Sequence, residues 1–148
     1  MIEVKGDFFE YAEQECPEVL VCTINQIVRA NGELVMGAGI AKAFRDKYRG
    51  LAAAWGAQTK YKESGVIYSI SDCTEFLVGF PTKYDWKDKS DIELIKKSLK
   101  ELEQMVDDFS FDSVLMTRPG CGNGGFEWSE IRPLLKHLDE RYIVICPE

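Results

Sequence analysis

Hydrophobic and polar positions along the 148-residue chain follow two periods, one typical of buried strands and one typical of amphipathic helices. The clearest strand covers residues 18–25, a nearly continuous run of β-branched and apolar residues, as expected in a sheet covered on both faces. The clearest helix covers residues 91–109, where apolar residues recur at steps of three and four. Ser90 and Glu93 predict a capping box at its start.

The other predicted elements are shorter, and strands alternate with helices. Strands are predicted at residues 2–5, 66–71, 76–80, 113–117 and 142–146, and helices at 42–48, 51–62 and 129–139. A helical turn is expected at 8–12, and Asn31-Gly32 is a turn signal. This order favours an α/β protein, a three-layer α/β/α sandwich with a mixed, mainly parallel central sheet. We expect residues 1–148 to form a single domain.

Composition narrows the function classes. The formal net charge is −7, which argues against broad, non-specific nucleic-acid binding, because such binding needs a basic face. A small nucleotide or a modified strand end in a local pocket remains compatible with that charge. The five cysteines form no C-x-x-C pair, so we expect free thiols in a reducing compartment and neither a disulfide framework nor a metal site.

Targeting signals are not visible in the sequence. No apolar stretch approaches the length of a membrane span. Met1 leads directly into a strand-like segment, so no signal peptide is predicted. We therefore expect a cytoplasmic protein without a membrane partner and without a cofactor, and we expect it to be a monomer.

Polar or glycine-rich segments follow several predicted strands. Asp7, Asn25, Lys83 and the loop at 118–126 each come just after a strand. Ligands of open α/β sheets bind beyond the carboxyl ends of the strands. These positions therefore predict one ligand site at that edge of the sheet.

Two glycine loops, at residues 36–41 and 120–126, each open a predicted helix. The first lacks the last small residue of the dinucleotide fingerprint, because Lys42 stands there, and the second has Phe126 where a P-loop has lysine. The second loop could also be a plain flexible connection. Backbone N–H groups at a helix start favour an anion, so we predict that the two loops wrap a pyrophosphate from two sides without basic residues.

Taken together and in order, these segments resemble a macrodomain, the ADP-ribose-binding module. The matching segments are Val4-Lys5-Gly6-Asp7-Phe8, residues 21–25, Met36-Gly37-Ala38-Gly39-Ile40-Ala41, Phe80-Pro81-Thr82-Lys83, and the run from Gly120 to Trp128. The chain is most similar to the branch that contains the DNA ADP-ribosyl glycohydrolase antitoxins and the terminal ADP-ribose protein glycohydrolase. ADP-ribose, or a substrate carrying it, is the ligand that this resemblance implies, and an ADP-ribosylated nucleic acid is one such partner.

The resemblance also implies a role for each matching residue. Asp7 would accept a hydrogen bond from the adenine amino group, the Phe8 amide would face adenine, and Asn25 would lie near the distal ribose. The other implied ligand-binding residues are Met36, Gly37, Ala38, Gly39 and Ile40 by the distal ribose and one phosphate, and Gly120, Cys121, Gly122, Asn123, Gly124, Gly125 and Phe126 by the pyrophosphate. We expect Cys121 to be a small packing residue rather than a reactive thiol.

Lys83 falls on the lysine that is catalytic in that branch, where the amine attacks the anomeric carbon of the distal ribose. We expect Phe80, Tyr84 and Trp86 to give it an apolar surround; the alternative is a solvated loop lysine. The implied function is hydrolysis of the bond between ADP-ribose and a nucleobase or protein side chain. The alternatives are a non-catalytic ADP-ribose reader and an ADP-ribose 1″-phosphate phosphatase.

Two residues bear on the leaving group. Gly124 stands where the terminal protein glycohydrolase has a second carboxylate, which favours a nucleobase over a protein side chain. Trp86 could stack on a base or could cover the core, and the sequence leaves both open.

Overall fold

The computed structural model describes residues 1–61 and 65–147. The strands are β1 (Ile2–Lys5), β2 (Val19–Ile24), β3 (Ile67–Ile70), β4 (Phe76–Pro81), β5 (Val114–Thr117) and β6 (Tyr142–Cys146). The helices are α1 (Phe8–Glu15), α2 (Gly39–Lys47), α3 (Leu51–Tyr61), α4 (Ile92–Asp108) and α5 (Trp128–Leu135). Lys62, the predicted end of α3, lies outside the described residues.

The six strands form one sheet in the order β1-β6-β5-β2-β4-β3. Every neighbouring pair is parallel except β3 with β4. The predicted mixed, mainly parallel sheet is thereby confirmed. Since β1, β2, β4, β5 and β6 all point the same way, their carboxyl ends meet at one edge of the sheet.

Two hydrophobic clusters cover the two faces of the sheet, which confirms the three layers. Val19 and Val21 of β2 pack towards α4 and α5, whereas Leu20 and Cys22 pack towards α1, α2 and α3. All four side chains are fully buried. This double burial explains the unbroken apolar run of the strand, because each face needs its own set of side chains.

The start of α4 differs from the prediction. Asp91, not Ser90, is the N-cap, and its Oδ1 accepts a hydrogen bond from the Leu94 N–H at 2.9 Å. The Glu93 side chain instead pairs with Lys96. The predicted Ser90–Glu93 capping box is therefore wrong, because two cap-forming residues are adjacent and the second one has the capping geometry.

Two other helices differ in length from their predictions. The predicted turn at 8–12 is the full helix α1, with Asp7 as its N-cap and Oδ1 accepting from the Glu10 N–H at 3.0 Å. Helix α5 stops at Leu135, short of the predicted end at residue 139. A carboxylate on β1 ties this helix to the sheet, since Glu3 accepts hydrogen bonds from the Trp128 indole at 2.8 Å and the Arg132 guanidinium at 2.9 Å.

The connection at residues 26–35 is a docked hairpin-like turn. Val28 and Leu34 form an antiparallel bridge, and the turn between them includes Gly32. A Cβ at Gly56 of α3 would lie only 1.9 Å from the Gly32 carbonyl oxygen. The absent side chain therefore lets the helix and the turn touch through their backbones.

Strand β3 forms the edge of the sheet and is bound by α3. The Gln58 side-chain amide donates to the Tyr68 carbonyl at 2.8 Å and accepts from the Tyr68 N–H at 3.2 Å. The buried Trp55 indole donates to Ser69 Oγ at 3.1 Å. Among the helices in the described ranges, none is long and apolar enough to cross a membrane.

Candidate functional site

A cleft of about 1180 Å³ lies at the carboxyl ends of the parallel strands. It is somewhat larger than the roughly 300–1,000 Å³ that is typical of small-molecule sites. The predicted site residues found on its wall are Asp7, Phe8, Asn25, Gly37, Ala38, Gly39, Ile40, Lys83, Gly120, Cys121, Gly122, Asn123 and Gly124. Residues far apart in sequence are thus brought to a single concave surface.

Three predicted site residues lie outside the cleft wall. Met36 is 1% exposed and packs in the core beneath α2. The Phe126 ring lies under Lys89, whose Nζ is 4.1 Å from the ring centroid. The N–H groups of Gly125 and Phe126 donate to the carbonyls of Gly122 and Gly120, so they hold the loop together rather than face the cleft.

The two glycine loops touch across the cleft. Gly39 has a φ of +58°, and a Cβ there would lie 3.2 Å from the Asn123 side-chain nitrogen. Helix α2 begins after Ala38, which has no side chain that could cap it, so the first-turn N–H groups at Gly39 and Ile40 stay unpaired within the helix. Such groups favour an anion.

The second loop also presents a free donor. It contains a single 3-10 turn over Gly122–Gly124. The N–H group of Asn123 has no hydrogen-bond partner in the described part of the chain, whereas the Gly122 N–H faces the Phe126 carbonyl in the isolated Cys121–Phe126 bridge. Donors from both loops therefore converge on one space, which is the arrangement needed for a pyrophosphate.

Asp7 and Asn25 line the cleft and also stabilise neighbouring backbone segments. Asp7 caps α1 with Oδ1 and is exposed. The Asn25 amide donates to the Val35 carbonyl at 2.8 Å and accepts from the Ile27 N–H at 2.8 Å. Asn25 thereby fixes the root of the turn at 26–35 beside the cleft.

The Lys83 amine joins two loops. Its Nζ donates to the Asn123 carbonyl at 3.0 Å and to the Trp86 carbonyl at 3.4 Å. Of the three residues expected around the amine, Phe80 is fully buried in the core and Tyr84 and Trp86 are half exposed. Polar carbonyl oxygens therefore hold the amine beside the glycine loop.

Ser90 is a cleft residue that the sequence did not reveal, since its predicted role was helix capping. Its N–H donates to the Gly124 carbonyl at 2.9 Å, which joins the segment before α4 to the glycine loop. Its hydroxyl is buried and has no hydrogen-bond partner within residues 1–61 and 65–147. A Cβ at Gly124 would lie 2.5 Å from that hydroxyl oxygen, so a side chain there would require Ser90 to move.

The rim of the cleft is basic, and of its cations only Lys83 was a predicted site residue. Its wall includes the cations of Arg29, Lys83, Lys87, Lys89 and Arg118, against the carboxylates of Asp7 and Asp88. Arg118 directly follows β5 and lies 4.8 Å from the Trp128 ring centroid. Its position after a strand, like that of Lys83, was the signal that could have identified it.

Cys121 lies on the wall and is partly buried. Burial raises the pKa of the Cys121 thiol above its ordinary value, although Arg118 opposes this. The thiol is therefore protonated at neutral pH, in agreement with a packing role. All five cysteines are free thiols.

An α/β/α sandwich with two glycine loops facing each other over a strand-end cleft is the architecture of a macrodomain, and the chain has the macrodomain fold. No protein-family model matches it. It superposes on the macrodomain of Mycobacterium tuberculosis DarG with a TM-score of 0.82 and 25% identity, covering 100% of this chain and 99% of that one.

Two curated relatives are named as glycohydrolases. The DNA ADP-ribosyl glycohydrolase of Mycobacterium tuberculosis is 29% identical over 124 residues, which cover 80% of this chain and 34% of that protein. The ADP-ribose glycohydrolase OARD1 of Bos taurus is 28% identical over 139 residues, which cover 93% of this chain and 82% of that protein. The chain thus spans about a third of the length of the first relative.

Proposed function

We propose that the cleft binds ADP-ribose and that Lys83 removes the group attached to its distal ribose, as in an ADP-ribosyl glycohydrolase. The observation that carries the proposal is the 3.0 Å contact between Lys83 Nζ and the Asn123 carbonyl. This contact places the amine beside the loop whose unpaired Asn123 N–H suits a pyrophosphate. A ligand held on that loop would present its anomeric carbon to a nucleophile already within reach.

The chemistry is a displacement at the anomeric carbon. An unprotonated lysine amine forms a bond to that carbon while the bond to the attached group breaks; the leaving group keeps the electron pair and takes up the proton that the alkylated amine loses. Water then releases ADP-ribose and restores the amine. The chain has glycine at 124, so a second carboxylate from that position is not part of the proposed mechanism.

We propose an ADP-ribosylated nucleobase as the target. The name of the mycobacterial relative and the basic rim of the cleft both support this choice. We also propose that residues 1–148 act as a monomeric, cytoplasmic macrodomain.

The test is release of ADP-ribose from a substrate panel by the unaltered chain and by two Lys83 variants. The panel contains an oligodeoxynucleotide with ADP-ribose on one thymidine, glutamate-linked and serine-linked ADP-ribosyl protein, and ADP-ribose 1″-phosphate. Lys83→Ala removes the nucleophile, and Lys83→Arg keeps the charge on a group that is not deprotonated in proteins. We expect both variants to lose at least about a hundredfold in turnover.

Calorimetry with free ADP-ribose is the accompanying control, and both variants should bind it within a few-fold of the unaltered chain. Binding without turnover on any substrate would identify a reader instead. Phosphate release from the 1″-phosphate alone would identify a phosphatase. No measurable binding of ADP-ribose would refute the site itself.

A further inference from the structure

The segment between β4 and α4 presents an aromatic side chain to the cleft. Tyr84 is 50% exposed and Trp86 is 51% exposed, although both are large and partly apolar. Trp86 lies on the cleft wall, whereas Tyr84 does not. The other two tryptophans are engaged elsewhere, since Trp55 is fully buried and the Trp128 indole binds Glu3. Trp86 therefore does not cover the core.

The backbone places Trp86 next to the candidate nucleophile. Lys83 Nζ is held between two carbonyl oxygens, that of Asn123 and that of Trp86. Asn123 belongs to the glycine loop and carries its unpaired N–H donor. A ligand whose pyrophosphate lies on that loop therefore has the group beyond its anomeric carbon directed to the Trp86 side of the amine.

The charges around the Trp86 ring fit one class of leaving group. Lys87 Nζ lies 5.6 Å from the ring centroid, and Lys89 and Arg29 are further cations of the cleft wall. A half-exposed aromatic ring beside one cation, on a wall with further cations, is the combination that binds single-stranded nucleic acid, in which bases stack and phosphates pair with lysine or arginine. An aliphatic side-chain linkage offers no flat face to stack on the ring.

We infer that Trp86 determines substrate specificity by stacking on the nucleobase that leaves from ADP-ribosylated, single-stranded nucleic acid. The inference rests on the proposed function and adds to it the residue that recognises the leaving group. Stacking on the base aligns the glycosidic bond with the Lys83 amine. Trp86 is a recognition residue here and takes no part in bond making.

The experiment compares Trp86→Ala, Trp86→Phe and Tyr84→Ala on two substrates, the thymidine-modified oligodeoxynucleotide and a glutamate-linked ADP-ribosyl protein. Base stacking contributes enough that Trp86→Ala should lower kcat/KM on the oligonucleotide by about tenfold or more. The loss on the glutamate-linked substrate should stay below about threefold, because its aliphatic linkage offers no base to stack on the ring. Trp86→Phe should recover most of the activity, and Tyr84→Ala, the equally exposed neighbour outside the cleft, should match the unaltered chain.

Equal losses on both substrates, or no loss on the oligonucleotide, would overturn the inference. A binding measurement distinguishes failure of the Trp86 inference from failure of the proposed hydrolase function. In the Lys83→Ala background, fluorescence anisotropy measures binding of the modified oligonucleotide with and without Trp86→Ala. If the unaltered chain releases no ADP-ribose, the hydrolase is refuted, but a tenfold weaker complex without Trp86 still supports stacking, and an unchanged complex refutes it.

Discussion

At the scale of single residues, the buried Ser90 hydroxyl restricts a neighbouring position. A Cβ at Gly124 would lie 2.5 Å from Ser90 Oγ but 3.4 Å from Ser90 Cβ. The first distance is a clash, and the second is close to ordinary contact. The restriction therefore comes from one oxygen atom, which itself lacks a partner in the described ranges.

We expect Gly124→Ala to destabilise the fold by about 1–3 kcal/mol, the usual cost of overpacking. Ser90→Ala alone should be nearly neutral, because it removes a buried hydroxyl that makes no hydrogen bond. The double variant should recover most of the loss. Urea unfolding of the four proteins gives the coupling free energy. Additive effects of the two substitutions would contradict this account.

The same residue shows where single-residue prediction failed. Ser90 and Asp91 are both good N-cap types, and the sequence offered a partner for the first in Glu93. The choice between them depends on the Ser90 N–H bond to the Gly124 carbonyl. That contact joins residues 34 positions apart, a separation that no local pattern spans.

At the scale of elements, α5 is attached to the sheet through Glu3 of β1. Hydrogen bonds from Arg132 and from the Trp128 indole lower the pKa of the Glu3 carboxyl below its ordinary 4.5. A carboxyl whose pKa is lowered in the folded state contributes stability above its unfolded pKa and loses that contribution as the pH falls. The attachment should therefore weaken in acid.

The variant Glu3→Gln tests this attachment. It should lower the free energy of unfolding by about 0.5–1 kcal/mol at pH 7, as expected for a largely solvated ion pair. The difference from the unaltered chain should be constant above about pH 5 and should shrink below about pH 4.5 as Glu3 takes up a proton in the unfolded chain. Thermal unfolding followed between those limits checks this. A difference in unfolding free energy that grows in acid would contradict the stabilising role assigned to the ionised Glu3 carboxylate.

Element positions were easier to predict than element ends. Strand β2 and helix α4 have strong periods and lie within one or two residues of their predictions. Helix α5 ends four residues early, at Leu135, because no sequence signal marks that end. The positions that follow strands were enough to locate the cleft, since parallel strands bring their carboxyl ends together.

At the scale of the whole molecule, the sign of the charge at the cleft wall is opposite to that of the whole chain. The chain carries −7 overall, yet the cleft wall has more cations than carboxylates. Composition cannot show where charges lie, and Arg29 reaches the cleft only because the turn at 26–35 is docked on α3. The sequence therefore identified Lys83 as a site residue but not the other cations of the cleft wall.

The basic rim predicts that binding of a nucleic-acid substrate depends on salt. For a single strand, log K falls with log[salt] with a slope of roughly 0.7 per phosphate contact. Arg29→Gln should reduce that slope by about 0.7 for the modified oligonucleotide bound to the Lys83→Ala chain. Arg49→Gln, an exposed arginine outside the cleft, is the matched control and should leave the slope unchanged. Equal salt-dependence slopes for all the proteins would show that the phosphates of the oligonucleotide do not contact Arg29.

The contact between Gln58 and Tyr68 has a consequence for the behaviour of the domain at high concentration. Strand β3 has neither a charged residue nor a proline, the usual protections of a sheet edge against pairing with another chain. The Gln58 amide occupies the N–H and the carbonyl of Tyr68, the groups that an incoming strand would use. A helix side chain thus occupies the pairing groups of Tyr68 on this edge, which should hinder templated growth of the sheet into fibres.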